Sequence, residues 1–555
     1  MLATRLGRAG RQRAPLAAQL RVPGRRSLSS EGASKTFFLE THGCQMNVAD
    51  SDVVRSILQR AGWAEASSPD GARVLMTNTC SVREKAENKV RTRLAMWRAA
   101  DRSRKLGVLG CMASRLRAEL TESGVADLVA GPDSYRHLPE LLDALDGGAA
   151  HAMHTQLSLE ETYADIAPVR AAADGASPTA YVTVMRGCNN MCSYCVVPFT
   201  RGRERSRALG TIVDEVHRLV ERGVREVVLL GQNVNSYWDA AAPTGSGYRT
   251  ADGFGNVFKA REGGGARFTE LLSAVAAVSP ELRVRFTSPH PKDFPAELLE
   301  TIAHTPNVCK QLHLPAQSGS SAVLARMRRE YGRDAYLALA DRARERIAGV
   351  TLSTDIIAGF CAETEAEHEE TLSLMRHVRY EQAFMYAYSL RSRTHAAHHL
   401  ADDVPRETKQ RRLREVIDTF HAHVHAKNGE DEPGAAHVVL VEGDARKSVG
   451  QLTGRTDGNK RVVFAHRADS PTPRVGEYVV VRIEHASGHT LRGETEAGGA
   501  REMPATLREC TALAARLTAG RAEWLARRRA DAAAVAAAGS AAPMARAKVW
   551  TGQSA

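Results

Sequence analysis

Three cysteines lie within eight residues of one another in the segment Cys188-Asn-Asn-Met-Cys192-Ser-Tyr-Cys195. Thiolates are the usual ligands of a [4Fe–4S] cluster, which has four irons to ligate. Three thiolates would leave one iron open to an external ligand. The alternative is a structural zinc site, but such a site normally takes four protein ligands, and no fourth cysteine or histidine follows closely. The spacing therefore favours a cluster with one open iron.

A second possible set of ligands consists of Cys44, Cys80 and Cys111, which long stretches of chain separate. Each follows the end of a predicted strand, and these strands are Thr36–Glu40, Arg73–Asn78 and Gly107–Gly110. The carboxyl ends of parallel strands meet at one edge of a sheet, so we expect the three thiols to lie close together. They could hold a second cluster, or they could be small apolar side chains of the core.

Strands that alternate with helices surround both sets of cysteines, which predicts an α/β protein. Residues 35–150 predict a small parallel sheet, with Asp127–Ala130 as its fourth strand. Residues 178–430 contain six strand candidates separated by helical stretches. They predict a partial (β/α)6 barrel, whose chemistry should lie at the C-terminal strand ends. The six candidates are Ala180–Met185, Glu226–Leu230, Val284–Ser288, Lys310–Leu314, Leu352–Ile357 and Phe384–Ser389.

Short strands with glycine turns mark a third block, residues 436–496, and predict a small antiparallel β-barrel. Residues 151–177 are expected to form a linker, and residues 239–267 a surface insertion in the larger barrel. Residues 500–555 are rich in Ala and Arg and predict a helical or disordered tail. The strands expected in the third block are His437–Val441, Arg461–Ala465, Tyr478–Ile483 and Thr490–Gly493.

The composition is that of an ordinary soluble globular protein, with 555 residues, 43% apolar and 25% charged. No apolar run is long enough to span a membrane. The net charge of +11 is concentrated in the tails: residues 1–30 hold seven arginines and no acid, and residues 501–555 hold nine basic and four acidic side chains. The rest of the chain is close to neutral, so the overall charge is weak evidence for nucleic-acid binding.

The N-terminal 30 residues are rich in Arg, Ala, Leu and Ser and free of acid. This composition is typical of a mitochondrial transit peptide, and the alternative is a disordered basic arm. We therefore expect the protein in the mitochondrial matrix. There the cysteines should be reduced thiols or metal ligands, because disulfides belong to oxidising compartments.

Several motifs resemble those of the radical S-adenosylmethionine (SAM) tRNA methylthiotransferases. The Cys188–Cys195 pattern is similar to that of the radical SAM superfamily, and the resemblance to the methylthiotransferases covers residues 36–496. Gly43-Cys44-Gln45-Met46-Asn47 is similar to the branch that acts on isopentenylated adenosine. The insertion after Tyr237, the run of residues 288–294 and the transit-like start look most like its animal mitochondrial member. The remaining motifs of the family are residues 78–84, 110–112, 231–237 and 312–319.

The resemblance implies two [4Fe–4S] clusters and SAM as cofactors. Cys188, Cys192 and Cys195 would hold the cluster that binds SAM, and Cys44, Cys80 and Cys111 an auxiliary cluster. One SAM would methylate a sulfur on the auxiliary cluster. A second SAM would give a 5′-deoxyadenosyl radical that removes the C2 hydrogen of N6-isopentenyladenosine at tRNA position 37. The product would be the 2-methylthio base. The third block would be a TRAM domain, an RNA-binding barrel.

The resemblance also suggests where SAM and partners bind. Candidate SAM contacts are Tyr194, Gln317, Ser318, Asp355 and Gly359, although each could equally be ordinary strand-end structure. The implied partners are the tRNA anticodon loop, a reductant protein, a sulfur source and, from the name of the animal member, a kinase regulatory subunit. Two alternative functions stay open: methylthiolation of another modified adenosine, and a regulatory protein that binds a kinase activator without catalysis.

One motif departs from the family pattern. Bacterial relatives read Gly-Phe-Pro-Gly-Glu-Thr where this chain reads Gly359-Phe360-Cys361-Ala362-Glu363-Thr364. Ala362 thus replaces a glycine, the residue that best tolerates a positive φ. This difference from the family pattern bears on the backbone geometry of the 359–364 loop more than on the enzymatic activity.

Two groups of basic residues are candidate RNA contacts, because phosphates need cations and unpaired bases stack on aromatic rings. The alternative for both groups is a solvated charged face. The first group alternates directly after the cysteine loop, and the second surrounds turns of the third block, near Phe464 and Tyr478. The candidates are Arg201, Arg203, Arg205 and Arg207 in the first group, and Arg446, Lys447, Arg455, Lys460 and Arg461 in the second.

Overall fold

The computed structural model describes residues 35–81, 84–161, 163–171, 177–242, 249–255, 263–467, 471–496 and 506–539. The predicted transit peptide lies outside these residues, as do parts of the predicted linker, insertion and tail. Within the described ranges, no helix combines the length and the apolar character needed to cross a membrane.

The N-terminal block is a six-stranded parallel sheet in the order β2-β1-β3-β4-β5-β6. Its central strands are buried on both faces, as expected for a parallel sheet covered by helices. All four predicted strands are present, and two short edge strands, β2 and β6, were not predicted. The strands are β1 (Thr36–His42), β2 (Ala64–Glu65), β3 (Val74–Thr79), β4 (Lys105–Gly110), β5 (Leu128–Ala130) and β6 (Ala152–His154), with helices α1 (Gln45–Arg60), α2 (Glu84–Ala100), α3 (Cys111–Glu122) and α4 (Leu138–Asp146).

The stretch predicted as a linker belongs largely to this block. Strand β6 extends the sheet beside β5, and Tyr163 and Ile166 are buried in the same hydrophobic core. The Tyr163 hydroxyl donates to the Pro132 carbonyl at 2.8 Å, and its ring stacks on Tyr135. The polar and glycine-rich composition that suggested a linker is confined to the residues after these contacts.

The central block has the six predicted strands in two parallel three-stranded ladders, β13-β10-β7 and β14-β15-β16. A parallel bridge pairs Val284 of the first ladder with Val308, three residues before β14. The two ladders together form the expected partial barrel. The predicted first strand is shorter than expected, because the chain turns after Thr183 into a separate antiparallel pair, β8 and β9. The strands are β7 (Thr179–Thr183), β8 (Met185–Arg186), β9 (Arg205–Ser206), β10 (Glu226–Leu230), β11 (Trp238–Asp239), β12 (Ala266–Arg267), β13 (Arg283–Phe286), β14 (Gln311–His313), β15 (Thr351–Ala358) and β16 (Gln382–Ala387).

Helices cover the outside of this barrel, and the antiparallel pair β11–β12 closes the base of the predicted insertion. The longest helix, α13, packs against the last strands and leads into the third block. The helices are α5 (Val197–Thr200), α6 (Leu209–Glu221), α7 (Phe268–Ala276), α8 (Ala296–His304), α9 (Ser321–Arg326), α10 (Arg333–Arg346), α11 (Glu365–Val378), α12 (His395–His399) and α13 (Arg406–Asp431).

The third block is a closed five-stranded barrel in the order β17-β18-β19-β21-β20. Neighbouring strands are antiparallel except for β19 and β21, which run parallel. Strand β18 was not predicted, because its central residue is Gly454, and glycine is depleted in strands. The elements are β17 (Ala436–Asp444), β18 (Leu452–Thr456), β19 (Arg461–Ala465), β20 (Tyr478–Ala486) and β21 (Thr490–Glu496), followed in the tail by α14 (Leu507–Ala519) and α15 (Arg521–Gly539).

Buried contacts join the three blocks. Met46 and Ala49 of α1 pack against Val228 and Leu230 of β10, so the N-terminal sheet rests on the larger barrel. Arg285 donates to the Thr456 carbonyl of the small barrel at 2.6 Å and to Glu226 at 2.8 Å. The elements that carry the two cysteine sets are therefore held by one packed framework.

A buried carboxylate ties α13 to the small barrel. Glu432 accepts from Lys460 at 2.5 Å and pairs with His437 at 2.7 Å. Burial opposes its ionisation, but His437 and Lys460 outweigh burial and lower the pKa of Glu432 to about 2. Lys460, predicted to contact RNA, is instead committed to this cluster.

We expect Glu432→Gln to cost about 3 kcal/mol of stability at pH 7, since a depressed carboxyl pKa stabilises the fold above the unfolded pKa. The difference should shrink as the pH falls from about 4.5 towards 2, where the wild-type carboxylate also becomes protonated. Hydrogen exchange of β17 amides at each pH would measure the effect. Glu494→Gln, an exposed position in the same barrel, is the matched control and should show no such pH dependence.

The departure at Ala362 has a structural counterpart. Ala362 adopts φ 56°, the left-handed conformation that costs a residue with a Cβ free energy. Its side chain is exposed, and its N–H donates to Asp403 at 2.7 Å.

We expect Ala362→Gly to stabilise the protein by about 0.5–1 kcal/mol, measured by urea denaturation. Arg376→Gly, at an exposed position inside a helix, should instead destabilise it.

Candidate metal centres and the adjoining cavity

The three dispersed cysteines meet at the carboxyl edge of the N-terminal sheet. Strands β1, β3 and β4 are neighbours, and their last residues, His42, Thr79 and Gly110, lie opposite one another in register. Cys44, Cys80 and Cys111 follow these residues by one or two positions. The structure therefore brings this set of thiols together, as their positions after parallel strands predicted.

Two glycines allow the backbone to close around these cysteines. Gly43 has φ 144° and Gly110 has φ 89°, both in the region that favours glycine. A Cβ on Gly43 would lie 2.8 Å from the Cβ of Cys80, and one on Gly110 would lie 2.4 Å from Oδ1 of Asn78. The approach of the three thiols thus requires glycine at both positions.

Buried amides fix the loop that carries Cys44. Asn47 Oδ1 accepts from the Cys44 N–H and from its thiol, both at 3.3 Å. Asn47 Nδ2 donates to Asn78 at 3.1 Å, and Asn78 donates in turn to the Asn47 carbonyl and to Ser51. These amides lie within motifs recognised in the sequence, but their structural role was not predicted.

An arginine from the large barrel reaches the same thiols. Arg201 Nε donates to Cys111 Sγ at 3.2 Å, and its Nη2 donates to Asp50 at 2.7 Å. A hydrogen bond from Cys80, together with the charge of Arg201, outweighs burial and lowers the pKa of Cys44 to about 6. Burial raises the pKa of Cys111, and Arg201 opposes that shift. One thiol of this set is thus prepared to ionise.

The second set of cysteines lies in the loop between β8 and α5, at the top of the first barrel strand. The Cys195 N–H donates to the Cys192 carbonyl at 3.0 Å. Cys188 Sγ and Cys195 Sγ each accept a backbone N–H, from Asn190 and Val197, at 3.5 Å. Backbone donors to sulfur are typical of iron–sulfur sites, where they adjust the charge on the thiolates.

Burial also keeps the thiols of Cys188 and Cys195 protonated when no metal is bound. Burial, with the neighbouring Cys192, raises the pKa of Cys188 well above its ordinary value, and burial raises the pKa of Cys195 to about 12. Metal binding must therefore release protons from this loop.

Among the described residues, no group of three His, Cys, Asp or Glu side chains has the arrangement to hold a single metal ion. In a four-iron cluster, each thiolate binds a different iron.

A cavity of about 590 Å³ adjoins the second set, within the size range of pockets that enclose a small-molecule cofactor. Three of the five predicted SAM contacts, Tyr194, Gln317 and Asp355, line it. The Tyr194 ring meets Phe360 edge to face. The complete lining is Tyr194, Cys195, Val196, Gln317, Asp355, Ile357, Met385, Tyr386, Ala387, Tyr388, Ser389, Arg391 and Leu413.

Two predicted SAM contacts lie outside the cavity lining. Ser318 is 1% exposed, and its hydroxyl lies 3.2 Å from that of Thr371. The Gly359 N–H donates to Glu363 at 2.7 Å. Both residues shape the strand ends, which was the alternative considered for them.

The prediction that the first arginine group contacts RNA is corrected for three of its four members. Arg201, Arg205 and Arg207 are at most 7% exposed. Arg205 forms two bonds with Asp133, at 3.0 and 3.1 Å, and Arg207 pairs with Glu215 at 2.7 Å. Of the four, only Arg203 is exposed.

The second basic group is more open to solvent. Arg446, Lys447, Arg455 and Arg461 are exposed, and Arg455 pairs with Glu442 at 3.1 Å. The two aromatic residues expected to stack on bases do not face solvent: Phe464 and Tyr478 are 0% and 6% exposed. Both belong to the hydrophobic interior of the small barrel and its contacts.

Another buried arginine, missed in the sequence, contacts the second set of cysteines. Arg329 Nη1 donates to Cys192 Sγ at 3.6 Å, and its Nη2 donates to the Pro315 carbonyl at 2.8 Å. It is 4% exposed. The sequence offers no signal for it, because the Arg326–Glu330 stretch is rich in charges and resembles a surface turn.

Family models match the three blocks in order. Residues 36–131 match a family described only as uncharacterized, UPF0004, residues 182–375 match the radical SAM superfamily, and residues 432–495 match the TRAM domain. The fold and the cysteine loop at the barrel top thus define a radical SAM enzyme with an RNA-binding barrel, whose cofactors are a [4Fe–4S] cluster and SAM. The predicted α/β architecture of three blocks is confirmed.

Relatives identify the family more closely. The chain is 48% identical to the mouse (Mus musculus) mitochondrial tRNA methylthiotransferase CDK5RAP1 over 481 residues, which cover 83% of this chain and 81% of that protein. It is 47% identical to the human protein of the same name, with coverage of 83% and 82%. A tRNA-2-methylthio-N(6)-dimethylallyladenosine synthase of Phocaeicola vulgatus is 45% identical, with coverage of 84% and 97%. The chain belongs to the tRNA methylthiotransferase family.

Proposed function

We propose that this protein methylthiolates C2 of N6-isopentenyladenosine at position 37 of mitochondrial tRNAs, using two SAM molecules for each base. The observation that carries the proposal is the presence of two separate cysteine triads in one packed framework with a TRAM barrel. Relatives of both kinds, mitochondrial methylthiotransferases and bacterial dimethylallyladenosine synthases, support the substrate.

We assign Cys188, Cys192 and Cys195 as ligands of the cluster that binds SAM, and Cys44, Cys80 and Cys111 as ligands of an auxiliary cluster. The thiols fit these groups for reasons visible in the fold. Glycines at 43 and 110 leave room at the sheet edge, backbone N–H groups point at Cys188 and Cys195, and Arg201 offers a positive charge beside Cys111. When bound, the clusters and SAM would supply radical chemistry, which an unactivated C2–H bond requires.

The side chains around the barrel triad would position the substrates. The cavity beside Cys195 would hold SAM, with Tyr194, Gln317 and Asp355 as contacts. Its wall includes the apolar side chains of Ile357, Met385 and Leu413, which would exclude water from the reacting groups. The base must leave its stack in the anticodon loop to present C2, as in other enzymes that modify bases.

The remaining partners and the compartment are part of the same proposal. A reductant protein must supply electrons, and a sulfur source must renew the sulfur that is transferred. The acid-free N-terminus supports import into the mitochondrial matrix, and relatives are named as mitochondrial. A kinase regulatory subunit is a further candidate partner, but no described residue supports its binding.

A product assay tests the function. The protein without residues 1–30, loaded anaerobically with iron and sulfide, would be given SAM, a strong reductant and isopentenylated tRNA. We expect 2-methylthio-N6-isopentenyladenosine by nucleoside mass spectrometry. A product only from tRNA that carries another modified adenosine would contradict the substrate. No product and no 5′-deoxyadenosine, with both clusters intact, would favour the regulatory alternative.

The exposed basic residues of the small barrel should contribute to tRNA affinity. We expect Arg446→Ala/Lys447→Ala to weaken binding and to lower the salt dependence of the association constant by about two units, about one for each lost phosphate contact. Filter binding between about 50 and 200 mM salt would measure this. Arg102→Ala/Arg117→Ala, which removes the same charge from exposed positions of the N-terminal block, should leave the salt dependence unchanged.

A further inference from the structure

Arg201 connects the two cysteine triads through one short piece of chain. It lies six residues after Cys195, directly after α5, and its guanidinium crosses from the large barrel to the sheet edge of the N-terminal block. There its Nε donates to Cys111 Sγ at 3.2 Å. Arg201 is 3% exposed, so this contact is made away from bulk water.

The charges around Arg201 are arranged asymmetrically. Its carboxylate partner, Asp50, is 0% exposed and is shared with Arg186, which donates to the other oxygen at 2.7 Å. Arg186 has a second carboxylate, Glu161, at 3.9 Å. Asp50 is the only ion-pair partner of Arg201 among the described residues, and Arg201 shares it with Arg186. The positive charge of Arg201 is therefore only partly compensated where its guanidinium faces the thiols.

One nitrogen of Arg201 has no hydrogen-bond partner. Its Nη1 is buried and donates to no described residue. A buried donor without a partner costs about 1–3 kcal/mol, a cost that an acceptor in the same space would remove. The same guanidinium already donates to a thiol, so sulfur of a cluster on the triad is the acceptor that fits.

We propose that Arg201 is a positioning residue for the auxiliary cluster: it donates to the Cys111 thiolate, presents its unpaired Nη1 to the cluster's sulfur and raises the cluster's reduction potential. The proposal rests on the assignment of Cys44, Cys80 and Cys111 as cluster ligands. Reduction adds negative charge, and N–H donors with a positive charge stabilise the reduced form more than the oxidised form. Removal of the guanidinium must therefore make the cluster harder to reduce.

Arg205, a second buried arginine of the same segment, supplies a matched control. Arg205 belongs to the same segment, is also buried and also forms a salt bridge, with Asp133. Among the described residues, Arg205 donates to that carboxylate and to three backbone carbonyls, one of them that of Arg201, and to no cysteine. Loss of Arg205 thus tests the effect of a lost buried arginine without a contact to the triad.

The test isolates the auxiliary cluster in the full chain by replacing Cys188, Cys192 and Cys195 with alanine. Iron analysis comes first, and then the reduction potential is measured by titration followed by electron paramagnetic resonance. We expect a more negative potential in Arg201→Met, a smaller negative shift in Arg201→Lys, and no shift in Arg205→Met. Asp50→Asn, which keeps Arg201 and removes the offsetting carboxylate, should shift the potential in the positive direction.

Each outcome bears on a different statement. If the triple alanine variant with Arg201 intact binds no cluster, the assignment of Cys44, Cys80 and Cys111 is wrong. If it binds a cluster whose potential is the same in the Arg201 and Arg205 variants, the role of Arg201 is overturned while the ligand assignment stands. Should Arg201→Met fail to fold, the opposite shifts of Arg201→Lys and Asp50→Asn decide, and shifts of the same sign in both would overturn the proposal.

Discussion

We expect Cys192→Ala to abolish the formation of both 5′-deoxyadenosine and the 2-methylthio product, the largest effect of any single substitution in this protein. The variant removes one of three thiolates that must hold the SAM-binding cluster, so two ligands would remain and the open iron could no longer be presented in a defined position. We expect a loss of at least about 1,000-fold in product formation, because no side chain in the cavity can replace radical chemistry at C2. Nucleoside mass spectrometry and quantification of 5′-deoxyadenosine would measure both losses.

Cys309→Ala is the control for the loss of a buried thiol from the same barrel. Cys309 is 2% exposed and follows α8 far along the chain from the cysteine loop. This variant should keep both products, within the effect of a small change in packing. Equal losses in the two variants would mean that Cys192 contributes only to folding.

The sequence carries enough information for the architecture of this protein because its signals are periodic and local. Alternating strands and helices predict the parallel sheet and the partial barrel, and the predicted strand ends correctly place Cys44, Cys80 and Cys111 at one edge. The short strands were missed for a physical reason. Strand β6 has three residues, and β18 pairs within the barrel despite a central glycine.

The arginines show what a local pattern cannot reveal. Arg201, Arg203, Arg205 and Arg207 look alike in sequence, and a run of cations near a substrate entrance predicts an RNA surface. Three of them instead point inward, and for two of these the compensating carboxylates, Asp50 and Asp133, come from distant segments. Those partners are 151 and 72 residues away in sequence, so only the tertiary structure identifies them.

The cofactor contacts were predicted in part for a similar reason. Tyr194 and Gln317 come after strands of the barrel and Asp355 lies within β15. All three line the cavity, on the side of the barrel where ligands of such folds bind. Ser318 follows the same strand as Gln317, but adjacent residues point in different directions, and its hydroxyl meets Thr371 instead. Position after a strand predicts the neighbourhood of a site and not which of two neighbours enters it.

Cys44→Ala separates the two proposed clusters in a single experiment. Cys44 is half-buried at the start of α1, so its truncation should disturb packing less than the loss of Cys80 or Cys111. We expect the iron content to fall from about eight to about four atoms for each chain, because one four-iron cluster is lost. The 2-methylthio product should fall at least about 100-fold, while 5′-deoxyadenosine continues to form.

This pattern follows from the division of labour between the triads. The residues that would bind SAM lie beside Cys195 in the large barrel, whereas Cys44 contacts Cys80 and Asn47 at the carboxyl edge of the N-terminal sheet. Radical formation should therefore survive a change that removes the sulfur donor. Loss of 5′-deoxyadenosine together with the product, in a folded variant that retains about four irons, would contradict it. In that case the two triads would act as one unit, and the Arg201 segment between them would be the place to look for the coupling.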